Sequence, residues 1–323
     1  IYVIRSEMEL EFNKIKKLLF LRYDGKIGDY IITSWIYREI KKQRPDIEID
    51  IVGISKNEKL FLNNKNVNRF YKLKKSKKPF MYFLAKKLRA ENYDVIIDPT
   101  DHLRKRDIFF IKNIKAKVVF GYDKEEINIF DKNIGNNSKR MKEVYAEILE
   151  QLGFSNLNMD YEIPLDKEAE EKVDKYLEKK KIDNYIVVNF FGAAKNKKIN
   201  NENAIKLIDV LHMKYKDKKI IILDSPSDRK ALDNILKNVL DNERVYFYPN
   251  STIFEAIEII KKSILVVSPD TAIIHIADGF DKKIISFYKN EKITYDKWKI
   301  SEDNEIHFYE NNINELDFSN INL

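Results

Sequence analysis

A double alternation constrains the fold of this chain more than any other feature. Short β-type apolar runs are followed by turn residues and then by helically spaced apolar residues, and the whole series runs through once and then restarts. Leu18-Leu19-Phe20-Leu21 leads into Ile32, Trp35, Ile36 and Ile40 on one helical face. Residues 47–52, 67–73, 94–98 and 116–120 read as further strands, and 80–88 and 139–152 as helices. The stretch 128–138 is rich in Asn, Gly and Asp and reads as a loop. After residues 154–167, with Pro164 as a linker mark, strands are expected at 185–190, 219–223, 245–247, 264–267 and 283–287. Helices are expected at 203–215, 228–240, 253–261 and 271–279. Strands separated by helices imply βαβ units and parallel sheets. The expected fold is α/β, with two Rossmann-like doubly wound domains facing across a cleft, residues 1–155 and 156–323. The tail from Lys289 is polar and weakly patterned, and is a candidate for packing back on the first domain.

Length agrees with two domains, because 323 residues exceed one hydrophobic core of ordinary size. Charged residues are 34% of the chain but mixed in sign, which argues against disorder. With no Cys, a disulfide framework, a thiolate metal site and thiol catalysis are excluded, and a reducing cytoplasm is compatible. No run of about 18 apolar residues marks a transmembrane helix. The chain opens at Ile1 rather than Met, so a removed preceding segment stays an open expectation. Charge is uneven. Residues 1–150 hold 33 Lys+Arg against 22 Asp+Glu, and the remainder 26 against 30. From Lys59 to Ala90 there are eleven bases and no acid. Either the first half meets an anionic partner or this is a solvated face of a Lys-rich chain.

Four segments that follow strands carry candidate chemistry, as expected for a sheet that places ligands beyond its carboxyl edge. Tyr23-Asp24-Gly25-Lys26-Ile27-Gly28-Asp29 is a turn into a helix. It lacks both the dinucleotide fingerprint and the Gly-Lys-Ser/Thr of a P-loop. Asp29 is a candidate general base, or simply a helix cap. In residues 189–198, Gly192 and Ala193 let backbone N–H groups approach a phosphate, and Lys197 can neutralise it. Asp228, after the strand ending at Leu223, can bond a ribose hydroxyl or start a helix. Ser268-Pro269-Asp270-Thr271-Ala272-Ile273-Ile274-His275 opens a helix whose free N–H groups suit a diphosphate, with Asp270 to orient a sugar hydroxyl. His275 reads as packing or as a site residue. On the acceptor side the candidates are Gly28, Asp98, Asp101, Arg104, Lys74 and Lys75. Asp98 to His102 is poor metal evidence, and no metal is expected. The lysines of residues 72–78 run into an amphipathic helix at 79–84, a combination that suits an anionic membrane surface or a core-facing helix beside a solvated run.

Three of these segments resemble the bacterial ADP-heptose:lipopolysaccharide heptosyltransferase family. Residues 18–36 resemble its opening strand, Gly-Asp turn and helix. Residues 189–208 resemble its phosphate loop, with Lys197 at the Lys of a Lys-x-Trp-Pro pattern. Residues 268–277 resemble its Asp-Thr-Gly-x-x-His-x-Ala signature. Departures are Ala272 at the signature Gly and Ile199-Asn200 at the Trp-Pro. The resemblance implies a GT-B fold and an inverting, metal-independent, cofactor-free glycosyltransferase. Asp29 would be the general base. Gly192, Ala193, Lys197, Asp228, Asp270, Thr271, Ala272 and His275 would form the donor site for an ADP-sugar. A phosphorylated lipopolysaccharide core, or another anionic glycolipid, would be the acceptor. Localisation would be cytoplasmic, at the inner face of the inner membrane. A same-fold enzyme using another nucleotide sugar, hexose or amino sugar, is the alternative. A non-catalytic nucleotide or RNA binder is a third reading, but the chain shows no RNA-recognition signature with interleaved aromatics, so no nucleic-acid partner is expected.

Overall fold

The computed structural model describes residues 11–23, 25–73, 78–100, 103–135, 139–192, 194–223, 229–249 and 252–321. Two compact units divide the chain between Pro164 and Leu165.

In the first unit the strands are β1 (Lys17–Arg22), β2 (Glu48–Gly53), β3 (Arg69–Lys72), β4 (Val95–Asp98), β5 (Val118–Tyr122) and β6 (Lys132–Ile134). The helices are α1 (Ile27–Gln43), α2 (Glu58–Leu62), α3 (Lys78–Ala90), α4 (Lys105–Ile114) and α5 (Met141–Gln151). The strands form one parallel sheet in the order β3-β2-β1-β4-β5-β6. Leu18 to Arg22 of β1 are all buried, because helices cover both faces of a doubly wound sheet. Leu19, Leu21, Ala85, Leu88, Phe110 and Ile111 belong to one core under α3 and α4.

The second unit repeats the plan. Its strands are β7 (Tyr185–Val188), β8 (Lys219–Leu223), β9 (Val245–Tyr248), β10 (Leu265–Pro269), β11 (Lys283–Lys289) and β12 (Glu305–Tyr309). Its helices are α6 (Lys167–Lys180), α7 (Asn201–Lys214), α8 (Arg229–Asn238), α9 (Ile253–Lys262), α10 (Ala272–Asp278) and α11 (Lys292–Trp298). The sheet is again parallel, ordered β12-β11-β10-β7-β8-β9. Val188, Leu207, Ile208, Ile222, Val267 and Phe287 form its separate core.

In both sheets the first strand of the unit pairs on either side, with the second and with the fourth. Strand order therefore reverses between β1 and β4, and between β7 and β10. At such a point the connections leave in opposite directions, opening a crevice at the carboxyl ends of two adjacent strands.

Four features depart from expectation. The loop expected at 128–138 contains β6, a three-residue edge strand whose Lys132 and Asn133 carry no apolar pattern and which pairs through its backbone. Helices α2, α4, α6 and α11 fall where the sequence predicts none. Helix α6 buries only Ala169, Val173 and Leu177, a stripe too thin to register, and starts at the Asp166 cap, which accepts from the Ala169 N–H at 3.1 Å. The segment after residue 154 is bound to the first unit. Gln43 exchanges two hydrogen bonds with Ser155, Arg38 donates to the carbonyls of Asn158 and Asp160, and the Glu162 N–H donates to Ser34 Oγ at 2.9 Å. The division accordingly falls after Pro164 and not after residue 155. The tail, a candidate for packing on the first domain, extends its own sheet as β12 and places Phe318 in the second core. Asn314 fastens it further, accepting from the Asn200 N–H at 2.8 Å and donating to the Lys198 carbonyl at 2.9 Å.

Candidate active site

The reversal point of the second unit holds the described donor-side candidates. Asn189 follows β7 and is buried. Its N–H donates to the Val267 carbonyl at 2.9 Å, while its side-chain amide reaches Ser268 Oγ at 3.0 Å and Thr271 Oγ1 at 3.4 Å and accepts from the Phe191 N–H at 3.1 Å. One side chain thus ties the loop after β7 to the loop after β10. Gly192 also has a steric reason to lack a side chain. A Cβ there would lie 2.6 Å from Lys197 Cβ and 2.7 Å from the Lys197 carbonyl oxygen, so the bare backbone is what lets the turn at Lys195–Lys197 close. Lys197 then reaches across to Asp270, with Nζ 2.5 Å from Oδ2 and 3.4 Å from the backbone oxygen. Both side chains are only partly exposed. The Ile199-Asn200 departure has local reasons. Ile199 is a core residue, and the Asn200 carboxamide caps α7 by accepting from the Asn203 N–H at 2.9 Å.

Thr271 is the N-cap of α10, its hydroxyl accepting from the Ile273 N–H at 3.3 Å, and Ala272 is the first helical residue. His275 lies one turn further on and is buried; its Nδ1 has no hydrogen-bond partner among the described residues. Burial pushes the imidazole below its ordinary pKa, and Lys197 acts in the same direction, while Asp270 and Asp278 oppose the shift. Burial thus favours the neutral ring of His275. Burial, aided by the charge of Asp270, raises the Tyr309 phenol to about 12, so this group also stays neutral.

At the reversal point of the first unit, Gly25 turns the chain with φ +72°, and α1 begins at Ile27 after Lys26 in the cap position. Gly28 and Asp29 occupy the first turn, where a carboxylate is favoured by the helix dipole. Asp29 is thus inside the helix, and its side chain is 16% exposed. Arg22, buried at the end of β1, donates from Nη1 to the Tyr145 hydroxyl at 2.9 Å and holds Nη2 3.9 Å from Asp29 Oδ1. Neither Arg22 nor Tyr145 was singled out by sequence. The available signal was a charged residue closing an apolar strand.

Asp98 requires a correction. It ends β4, next to β1, but its carboxylate is fully buried and turned to internal partners. Tyr23 donates to it at 3.1 Å, Thr100 donates from Oγ1 at 2.7 Å and from its N–H at 3.2 Å, and Lys124 Nζ lies 3.8 Å away. Lys124, itself buried, also donates to the carbonyls of Asp98 and Thr100. Burial raises the Asp98 pKa, opposed chiefly by the Lys124 charge. These contacts make Asp98 an internal anchor of the loop that follows, and they remove it from direct acceptor contact. Arg104 is exposed at the start of α4, where its N–H donates to Asp107 Oδ2 at 3.1 Å. Ala193, Asp228, Asp101, Lys74 and Lys75 lie outside the described residues.

Residues 81–318 match glycosyltransferase family 9 (heptosyltransferase). Lipopolysaccharide heptosyltransferase 3 of Escherichia coli (strain K12) is 21% identical over 301 residues, spanning 90% of this chain and 87% of that protein. Among solved structures, a family 9 glycosyl transferase from Veillonella parvula DSM 2008 superposes with a TM-score of 0.78 at 16% identity, covering 94% of this chain and 89% of its own. E. coli heptosyltransferase WaaC with ADP gives a TM-score of 0.71 at 16% identity, covering 94% and 96%. The two parallel-sheet units are those of a GT-B-type fold. By the match over most of its length, this chain is a glycosyltransferase and belongs to family 9, the heptosyltransferases.

Proposed function

We propose that the enzyme transfers a heptose from an ADP-heptose donor to a phosphorylated lipopolysaccharide inner-core acceptor, with inversion at the anomeric carbon. The observation that carries this reading is the Lys197–Asp270 pair at the reversal point of the second sheet, on two loops that Asn189 joins through Ser268 and Thr271. An ammonium group has three N–H donors, so Lys197 can keep Asp270 and still meet a diphosphate oxygen. Thr271 and Ala272 would bring the start of α10 to the same phosphates, and Asp270 would orient a sugar hydroxyl. Asp228 and Ala193 belong to this donor site by the family pattern alone.

Asp29 is the general base of the proposed step. The acceptor hydroxyl gives its proton to the carboxylate as its oxygen bonds to the anomeric carbon. The bond from that carbon to the β-phosphate oxygen breaks, and its electron pair leaves with ADP. Lys197 stabilises the charge that develops there, the kind of contribution that strengthens only as the reaction proceeds. The step requires the acceptor hydroxyl beside Asp29 to reach the donor sugar.

Calorimetry with ADP and turnover with ADP-heptose test the two halves separately. Asp29→Asn should lower kcat by about 10²- to 10⁴-fold with ADP affinity retained, and Lys197→Ala should weaken ADP binding. Unchanged ADP affinity in Lys197→Ala would overturn the donor site. Turnover with a UDP-hexose or UDP-amino sugar and none with any ADP-sugar would replace the donor.

A further inference from the structure

Helices α3 and α4 pack side by side in the first unit and bury Met81, Leu84, Ala85 and Leu88 from one and Phe110, Ile111 and Ile114 from the other. The core-facing role left open by the sequence is therefore filled, yet large apolar groups remain outside. Phe83 is 67% exposed and Phe109 51%. The Tyr82 ring lies between them, its centroid 6.0 Å from that of Phe83 and 6.3 Å from that of Phe109, so the three make one aromatic row across two helices. Residues three and four positions apart share a helix face. By that spacing Lys86 flanks Phe83, and Lys105 and Lys112 flank Phe109; all three are exposed, whereas Lys87 Nζ lies 5.4 Å from the Tyr71 ring centroid. Lys86 Nζ sits 4.8 Å from the Tyr82 ring centroid. Helix α3 contains no acid, and the single acid of α4, Asp107, is buried and receives the Arg104 N–H.

We propose that this aromatic and lysine row seats the first unit on an anionic lipid bilayer. The rings enter the headgroup boundary, and the lysines, with apolar stems and charged tips, reach lipid phosphates at its edge. Among the described residues no helix is long and apolar enough to cross a membrane, so the contact is one of surface binding. A lipid surface fits better than single-stranded nucleic acid. Strand binding uses ring faces along a basic groove, whereas these rings lie on the outer side of two helices and Tyr82 meets Phe83 edge-on at 64°. The inference does not depend on the donor or acceptor, although a lipid-borne acceptor would gain from it.

The test is cosedimentation of the full chain with vesicles of phosphatidylcholine alone and of phosphatidylcholine with 30% phosphatidylglycerol. Binding is expected only with the anionic vesicles, reduced roughly fivefold for each of Lys86→Ala and Lys112→Ala. The pair Phe83→Ser and Phe109→Ser should reduce it by at least about tenfold while the circular dichroism spectrum of the folded chain is kept, since both side chains are at least half exposed. A Phe83→Trp chain should show a blue-shifted emission component when anionic vesicles are added. Failure of the wild type to bind them, or full binding by the double Phe variant, overturns the proposal. So does a ring-dependent affinity for a single-stranded oligonucleotide without ring-dependent vesicle binding. Vesicle binding without sugar transfer would sink the reading of the active site and leave this one standing.

Discussion

Lys197 owes its position to a residue that never touches a ligand in the proposed chemistry. Gly192 leaves room for its backbone, and Asp270 then draws the ammonium group across the loops. Gly192→Ala should lower kcat/KM by at least about tenfold by displacing Lys197, at a stability cost of about 1–3 kcal/mol for the forced backbone shift. Steady-state kinetics with a urea titration checks both. Arg22 stands in a similar relation to Asp29. Its buried guanidinium, braced by Tyr145, keeps a positive charge beside the carboxylate of the proposed base. Arg22→Gln should reduce kcat by roughly tenfold with ADP affinity unchanged, and equal kcat in this variant would refute the pairing. The motifs containing Gly192, Lys197 and Asp29 were legible in the sequence. The pairing of Lys197 with Asp270 and of Arg22 with Tyr145, each far along the chain, was not, because no local pattern encodes which distant side chain will arrive.

At the scale of elements, helix starts divide into those that only stabilise and those that also sit at the site. Asp166 caps α6 and Thr271 caps α10. Asp166→Ala and Thr271→Ala should each cost about 1 kcal/mol, read from urea midpoints, but only Thr271→Ala should weaken ADP. If both leave ADP binding intact, the start of α10 is not part of the donor site. Long, strongly apolar strands such as β1, β8 and β10 were legible because burial on both faces writes a continuous apolar run. Short β6 was hidden because an edge strand needs only backbone pairing. Helix α6 was hidden because a sparse buried stripe is diluted by Lys and Glu.

For the whole molecule, His212 and His275, the two buried histidines among the described residues, set a pH dependence. Burial lowers both below the ordinary value of 6.5. The unfolded chain therefore takes up protons first as pH falls past that value, and their stabilising contribution, complete above it, is lost as pH drops through the folded values. Buried Asp50, Asp98, Glu162 and Glu258 are shifted upward and act with the opposite sign, so the effect is to be read as a difference. The stability advantage of the wild type over His275→Gln should be larger at pH 8 than at pH 5.5, measured by denaturant unfolding at each. The separate cores also predict that a fragment of residues 165–323 folds by itself, with a circular dichroism spectrum of mixed helix and strand.

By itself the sequence determined the α/β class, the two repeated series of strands, and the placing of its motifs after strand ends, since apolar periodicity reports burial directly. Only the tertiary structure decided the rest. It placed β4 beside β1 and β10 beside β7, joined the two loops through Asn189, turned Asp98 inward onto Lys124, and returned the tail to the second sheet. Each of these is a contact between residues distant in the chain, and periodicity marks that a side chain is buried without naming what it is buried against.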